Sequence, residues 1–135
     1  MNDNCLFCKI AGGQLPAIVL YEDEKLMAIM DAFPATKGHV LIIPKVHAEN
    51  LYDLPEQTAA AILPLAQRIA IKIKCALKPD GVNIIQNNGK AAGQVVFHYH
   101  LHIIPRYKED GVIIKGGHFT STLEERAEIA GLILQ

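Results

Sequence analysis

The sequence predicts a single α+β domain: an antiparallel sheet of about five strands, one long helix packed on one face of it, and short helices near the two ends. Three observations carry this. Half of the 135 residues are apolar, enough for one core with little left for a second domain. Short β-branched and aliphatic runs recur between clusters of turn residues. A single long stretch, Pro55 to Leu77, repeats its apolar residues at helical spacing.

Cys5 to Ile10 reads as a short apolar turn or helix that stops at Gly12-Gly13, where glycine weakens any helix. Ile18 to Glu22 and Leu26 to Met30 flank the polar Asp23-Glu24-Lys25 and predict a hairpin. After the turn residues Phe33 to Gly38, His39-Val40-Leu41-Ile42-Ile43 reads as a buried central strand closed by Pro44. In the long helix Ala59, Ile62, Leu63, Ala66, Ile69, Ala70 and Ile73 recur at steps of three and four, and Pro64 should kink or break it. Lys78-Pro79-Asp80-Gly81 ends that helix. Val82 to Gln86 is a fourth strand, Asn87 to Gln94 a glycine-rich loop, and Val95 to Arg106 a fifth, long strand. A Ser/Thr cluster followed by Glu124 and Glu125 opens a last helix, roughly Thr122 to Leu134.

Composition narrows the partners. Thirteen basic residues against 14 acidic give a formal net charge of −1, with no basic run to serve as a nucleic-acid footprint. No apolar stretch approaches the ~18 residues of a membrane span, and the start lacks the pattern of a secretory signal, so a cytoplasmic protein without nucleic-acid or membrane partners is expected. The three cysteines are too few and too close for a disulfide framework, which fits a reducing compartment. Cys75, on the long helix, is expected to be a buried apolar residue.

The chemistry concentrates in Phe97-His98-Tyr99-His100-Leu101-His102-Ile103-Ile104. On a strand, side chains alternate faces, so the three histidines line one surface while Tyr99, Leu101 and Ile103 enter the core. A lone histidine is usually a satisfied structural residue. Three at this alternation, half of the chain's six, point to chemistry on a phosphate or a metal.

This pattern, with Gly93-Gln94 before it, resembles the histidine-triad (HIT) family. The resemblance extends through Phe7-Cys8-Lys9-Ile10, Pro16-Ala17, Asp31, Gly38-His39, Ile43-Pro44-Lys45-Val46-His47 and Asn87 up to about Arg106, so the single domain expected over residues 1–135 has its core in 1–106 and a tail in 107–135 that the resemblance leaves unconstrained. It implies a nucleotide hydrolase or transferase acting at the α-phosphate of purine nucleoside phosphoramidates or dinucleoside polyphosphates. His100 is then the nucleophile, its other ring nitrogen held by the carbonyl of His98. His102 donates a hydrogen bond to the phosphate or leaving group, and His39 supports the site from a neighbouring strand. Asn87, Gly93, Gln94 and Val95 belong to the phosphate subsite, with the amides of Asn87 and Gln94 as neutral donors. Asp31 accepts the ribose hydroxyls, and Leu6, Phe7, Ile10 and Ile29 form the base slot. Val95 stands where the eukaryotic phosphoramidase branch has a serine, which bears on protonation of an amine leaving group. The resemblance also implies a homodimer whose tail from one subunit approaches the other's active site.

The C-x-x-C pair, Cys5 and Cys8, can take two corners of a zinc tetrahedron, with histidines from later segments at the others. Similarity to bacterial members names His47 and His98 and makes zinc structural. A redox disulfide is the rival reading, although such motifs usually open a helix after a strand. Two other functions compete with the hydrolase: a metallohydrolase in which His98, His100 and His102 share a catalytic metal, and a nucleotide-binding regulatory module without significant turnover.

Overall fold

A computed structural model of the chain describes residues 2–114, 116–117 and 119–135; His118, to which the sequence assigns no role, lies outside them. Helix α1 (Leu6–Ala11) is followed by strands β1 (Val19–Glu22), β2 (Leu26–Met30) and β3 (Val40–Pro44), helix α2 (Glu56–Leu77), strands β4 (Gly81–Ile85) and β5 (Leu101–Arg106), and helix α3 (Leu123–Ile133). The five strands form one antiparallel sheet in the order β1-β2-β3-β5-β4.

The continuous apolar runs of β2 and β3 are explained by burial on both sheet faces. Leu26, Ala28, Val40 and Ile42 join Ile62, Leu65, Ala66, Ile69 and Ile73 of α2 in the larger core. The alternate residues Met27, Ile29, Leu41 and Ile43 pack with Phe7 of α1 on the opposite face. Tyr99, Leu101 and Ile103 belong to the α2 side, so the three histidines that alternate with them point to the α1 side.

Four expectations need correction. The fifth strand begins at Leu101 and not at Val95, because its pairing with β3 stops at Ile42↔Leu101. Continued pairing would bring Tyr99 opposite Pro44, which has no N–H to give, and Tyr99 N–H instead donates to the Ala48 carbonyl at 2.7 Å. The long helix runs unbroken through Pro64, which sits on its exposed side. Leu63 is exposed, and Leu65 takes the core position in its place. Cys75 is exposed, since it lies two residues, about 200° of helix, beyond the buried Ile73. At the other end, α3 starts as expected, in a capping box between Thr122 and Glu125, but none of its residues is buried.

The turn joining β2 to β3 returns to the sheet at Gly38, whose φ is +90°. That conformation favours glycine, and a Cβ there would also crowd the end of the Leu77 side chain, which would have to shift.

Candidate active site

The α1 side of the sheet carries two polar clusters that share His98. That imidazole is fully buried, and its Nε2 lies 2.8 Å from the Pro44 carbonyl, which can only accept. Nε2 therefore holds the ring proton, and the Nδ1 lone pair faces Cys5 Sγ at 3.3 Å, Cys8 Sγ at 3.5 Å and His47 Nδ1 at 3.2 Å. Cys8 Sγ is also 3.3 Å from His47 Nδ1, and all four ligand atoms lie within 4.8 Å of one another. Zinc bonds of about 2.3 Å to sulfur and 2.0–2.1 Å to nitrogen give tetrahedral edges of about 3.3–3.8 Å, which these separations match closely.

The donors suit a cation. Burial, the largest influence, pushes His98 down to about 4 and so keeps it a neutral ligand, and burial also pushes the Cys8 thiol up. A dication would offset that cost by binding the thiolates. The Pro44 carbonyl fixes the tautomer of the ligating ring, as metal-bound histidines commonly require. Cys5, the N-cap of α1, accepts the Cys8 N–H on sulfur, so the short helix presents both cysteines to the same point. The convergence of two imidazoles on the pair supports the zinc reading over a redox disulfide.

The second cluster begins one strand step along. His100 Nδ1 donates to the backbone carbonyl of His98 at 2.7 Å, which leaves the Nε2 lone pair unprotonated and free. Phe7 packs edge-on against both His100 and His98, at centroid distances of 5.0 and 5.9 Å. His102 Nδ1 stands 2.9 Å from His39 Nε2, and Ala35 N–H donates to His39 Nδ1 at 3.0 Å. These two bonds fix a direction. An Nδ1 that accepts a backbone N–H cannot carry hydrogen, so the neutral ring of His39 carries it on Nε2 and donates to His102. His102 in turn carries its proton on Nε2, the nitrogen facing away from His39. Burial is the first cause that lowers the pKa of His39, His100 and His102, the last to about 4, and Asp31 opposes it at all three.

This arrangement does not suit a metal shared by the triad. The lone pair of His98 points to the cysteines, Nδ1 of His100 is occupied by a carbonyl, and Nδ1 of His102 accepts from His39. Asp31 Oδ2 lies only 3.4 Å from His39 Nε2, but that nitrogen is a donor and not a ligand. The other Asp31 oxygen accepts Phe33 N–H at 2.8 Å, which holds the carboxylate at the end of β2.

The remaining predicted residues divide. Phe7 and Ile29 are buried on the triad side of the sheet, with Ile10 partly buried against them, whereas Leu6 is 47% exposed. Asn87 is half-buried and reaches the Gly93 carbonyl at 3.4 Å, and Val95 is exposed. Gln94 does not fit the expected contact with phosphate. Its side chain is buried, its Oε1 accepts Gly89 N–H at 2.8 Å, and its Nε2 donates to the carbonyls of Glu49 at 2.6 Å and Val96 at 3.1 Å. The groups that sequence reasoning missed are backbone atoms: the Pro44, Ala48 and Glu49 carbonyls and the Ala35 N–H. Only the position of Pro44, as the end of a strand, carried any signal.

Comparison with known proteins agrees with this geometry. The HIT domain family matches residues 12–109. Protein hit of Bacillus subtilis is 48% identical over 110 residues, covering 81% of this chain and 76% of that protein. An adenosine 5′-monophosphoramidase of Schizosaccharomyces pombe is 42% identical over 107 residues, covering 79% and 77%. The crystal structure of a HIT family protein from Bacillus anthracis superposes with a TM-score of 0.90 at 43% identity, covering 99% of this chain and 97% of that one. That of a zinc-bound histidine triad family protein from Mycobacterium smegmatis superposes with a TM-score of 0.77 at 42% identity, covering 97% and 96%. With the family match across most of its length and these relatives on either side of the same fold, the chain belongs to the HIT domain family.

Proposed function

We propose that this protein is a cytoplasmic nucleotide hydrolase or transferase that cleaves at the α-phosphate of purine nucleoside phosphoramidates or dinucleoside polyphosphates through a nucleotidyl-histidine intermediate. One observation carries the reading: the 2.7 Å bond from His100 Nδ1 to the His98 carbonyl, which turns a neutral imidazole into a nucleophile with Nε2 toward the substrate. His100 Nε2 forms a bond to phosphorus as the bond to the leaving group breaks. The leaving group takes a proton from solvent as it departs; water then attacks phosphorus, leaves its oxygen on the nucleoside monophosphate, returns a proton to solvent and releases His100 as neutral imidazole. His102 Nε2–H donates to the oxygen or nitrogen on which negative charge develops, and His39 keeps that proton on Nε2.

Asp31 accepts the ribose hydroxyls beside the apolar slot of Leu6, Phe7, Ile10 and Ile29. Asn87, Gly93 and Val95 border the phosphate. The monophosphoramidase name of the fission-yeast relative supports this reaction class. Cys5, Cys8, His47 and His98 would hold a structural zinc, which supplies a rigid tie between α1 and the triad and takes no part in bond making. The exposed Leu63 and Ile71 of α2 and Ile84 of the edge strand β4 support a homodimer built on that side.

The test is AMP release from adenosine 5′-phosphoramidate and from diadenosine tetraphosphate, run beside His100→Ala. Turnover by the wild type, abolished in that variant, is expected. Tight AMP binding by folded wild type with no turnover of either substrate would replace the reading with that of a nucleotide-binding module.

A further inference from the structure

Gln94 stands in a glycine-rich loop, where a side-chain amide would ordinarily face solvent or ligand, yet it is only 3% exposed. Its two N–H donors, the groups a phosphate would need, are both used within the protein. An amide has two N–H donors, and here both go to carbonyls, those of Glu49 and Val96, while the oxygen takes Gly89 N–H. Gln94 also donates its own backbone N–H to the Gly89 carbonyl at 3.1 Å, so one residue holds both polar groups of Gly89. Between them lies the single turn Lys90–Ala92, flanked by Gly89 at φ +88° and Gly93 at φ +94°. Glycines at both ends leave that turn little stiffness of its own.

The far end of the strut is equally specific. Glu49 is two residues after His47, and the intervening Ala48 accepts the N–H of Tyr99, which sits between His98 and His100. Gln94 and Tyr99 thus make two parallel ties from the segment 47–49 to the loop and to the nucleophile. The segment 47–49 therefore joins the loop to the residue that precedes His100.

We propose that Gln94 is a positioning residue: a buried strut that holds the Gly89–Gly93 loop in register with His100 and never touches the substrate. This rests on the nucleotidyl-transfer reading above. Its consequence is kinetic, since a displacement near 1 Å of a group that aligns the phosphate can cost on the order of 100-fold in rate.

The test uses the full-length, metal-loaded protein and the variants Gln94→Met, which removes all three side-chain bonds, and Gln94→Glu. The second keeps an acceptor for Gly89 N–H but sets a carboxylate oxygen against the Glu49 carbonyl, and it serves if the first fails to fold. Three quantities are read: single-turnover transfer from adenosine 5′-phosphoramidate to His100, adenosine affinity, and amide hydrogen exchange at Gly89 in the ligand-free protein. A roughly 100-fold slower transfer is expected, with adenosine affinity within about threefold of wild type and markedly faster exchange at Gly89. Transfer at the wild-type rate overturns the proposal. So does slow transfer with unchanged exchange at Gly89, which would mean that Gln94 meets the phosphate directly. If the wild type transfers nothing, the reaction reading fails, and the exchange at Gly89 still decides whether Gln94 is the strut.

Discussion

Replacing His39 by leucine tests the hydrogen-bond direction on which the proposed chemistry depends. Leucine removes the ring nitrogens that face Asp31, Ala35 and His102, and circular dichroism checks that the variant folds. The exposed position of Ala35 lets water take up the N–H that His39 accepts in the wild type. What disappears is the 2.9 Å bond to His102 Nδ1, and with it the constraint that puts the proton of His102 on Nε2. A hydrogen bond of this kind is worth about 1–2 kcal/mol net, which corresponds to a roughly 5- to 30-fold slower transfer step. Glutamine at the same position can still present an N–H₂ toward His102, so His39→Gln should recover most of the loss. Rapid-quench measurement of a single turnover reads the rate, and ¹⁵N shifts of the His102 ring read the tautomer. The reasoning is refuted if the leucine variant transfers at the wild-type rate, or if glutamine does no better than leucine. A loss as complete as that of His100→Ala would also refute it, because His39 would then be more than a support.

Three further outcomes follow from the same geometry. Cys8→Ala should drop bound zinc from about one per chain to near zero and loosen α1, while the circular dichroism of the sheet and α2 persists because their core lies on the opposite face; full occupancy in the variant would remove Cys8 from the site. Gly38→Ala must place a side chain at φ +90° and displace Leu77, so urea unfolding should show about 1–3 kcal/mol of lost stability, and an unchanged midpoint would contradict it. Arg106 grips Asp110 with two bonds near 2.8–2.9 Å and holds its carboxyl well below the usual carboxylate range, so this pair adds stability above the unfolded pKa of about 4 and loses it as pH falls toward the folded value. Asp110→Asn should therefore flatten the acid limb of the stability curve and leave its alkaline limb alone.

What the sequence made legible follows the physics of side chains. β2, β3 and α2 are long or continuous apolar patterns, and their positions came within a residue or two of the structure. The alternation of His98, His100 and His102 with Tyr99, Leu101 and Ile103 identified the two faces correctly, even though only half of the predicted strand is strand. It survives because Tyr99 still enters the α2-side core while His98 and His100 pack against Phe7 of α1. The cysteine pair, His47 and His98 do converge, although nothing in their spacing shows that the Pro44 carbonyl holds the shared ring. Gln94 illustrates the opposite case. A polar residue in a glycine-rich loop looks like a ligand contact, and only the fold reveals that the carbonyls of Glu49 and Val96 meet its two donors. Backbone acceptors have no letter in a sequence, so every role they assign waits for the structure.

His98 shows why the two clusters cannot be understood apart. Its side chain serves the cysteine cluster and its carbonyl holds the His100 ring, so an error in its placement is also an error in the lone pair of His100. Burial acts on both in one direction. It disfavours the charged form of His39, His98, His100 and His102, and the same desolvation leaves His98 neutral for the proposed ligand role and His100 neutral for the proposed nucleophilic one. A protonated His100 would have no lone pair to offer, however well it bound a phosphate anion. A site made of neutral imidazoles therefore gives up some attraction for its substrate in exchange for reactivity, and must find oriented donors to compensate. His102 Nε2–H is such a donor, directed by His39 and the Ala35 N–H. The glycine-rich loop held by Gln94 can carry others, which is why the buried bonds that aim them matter as much as the residues that meet the phosphate.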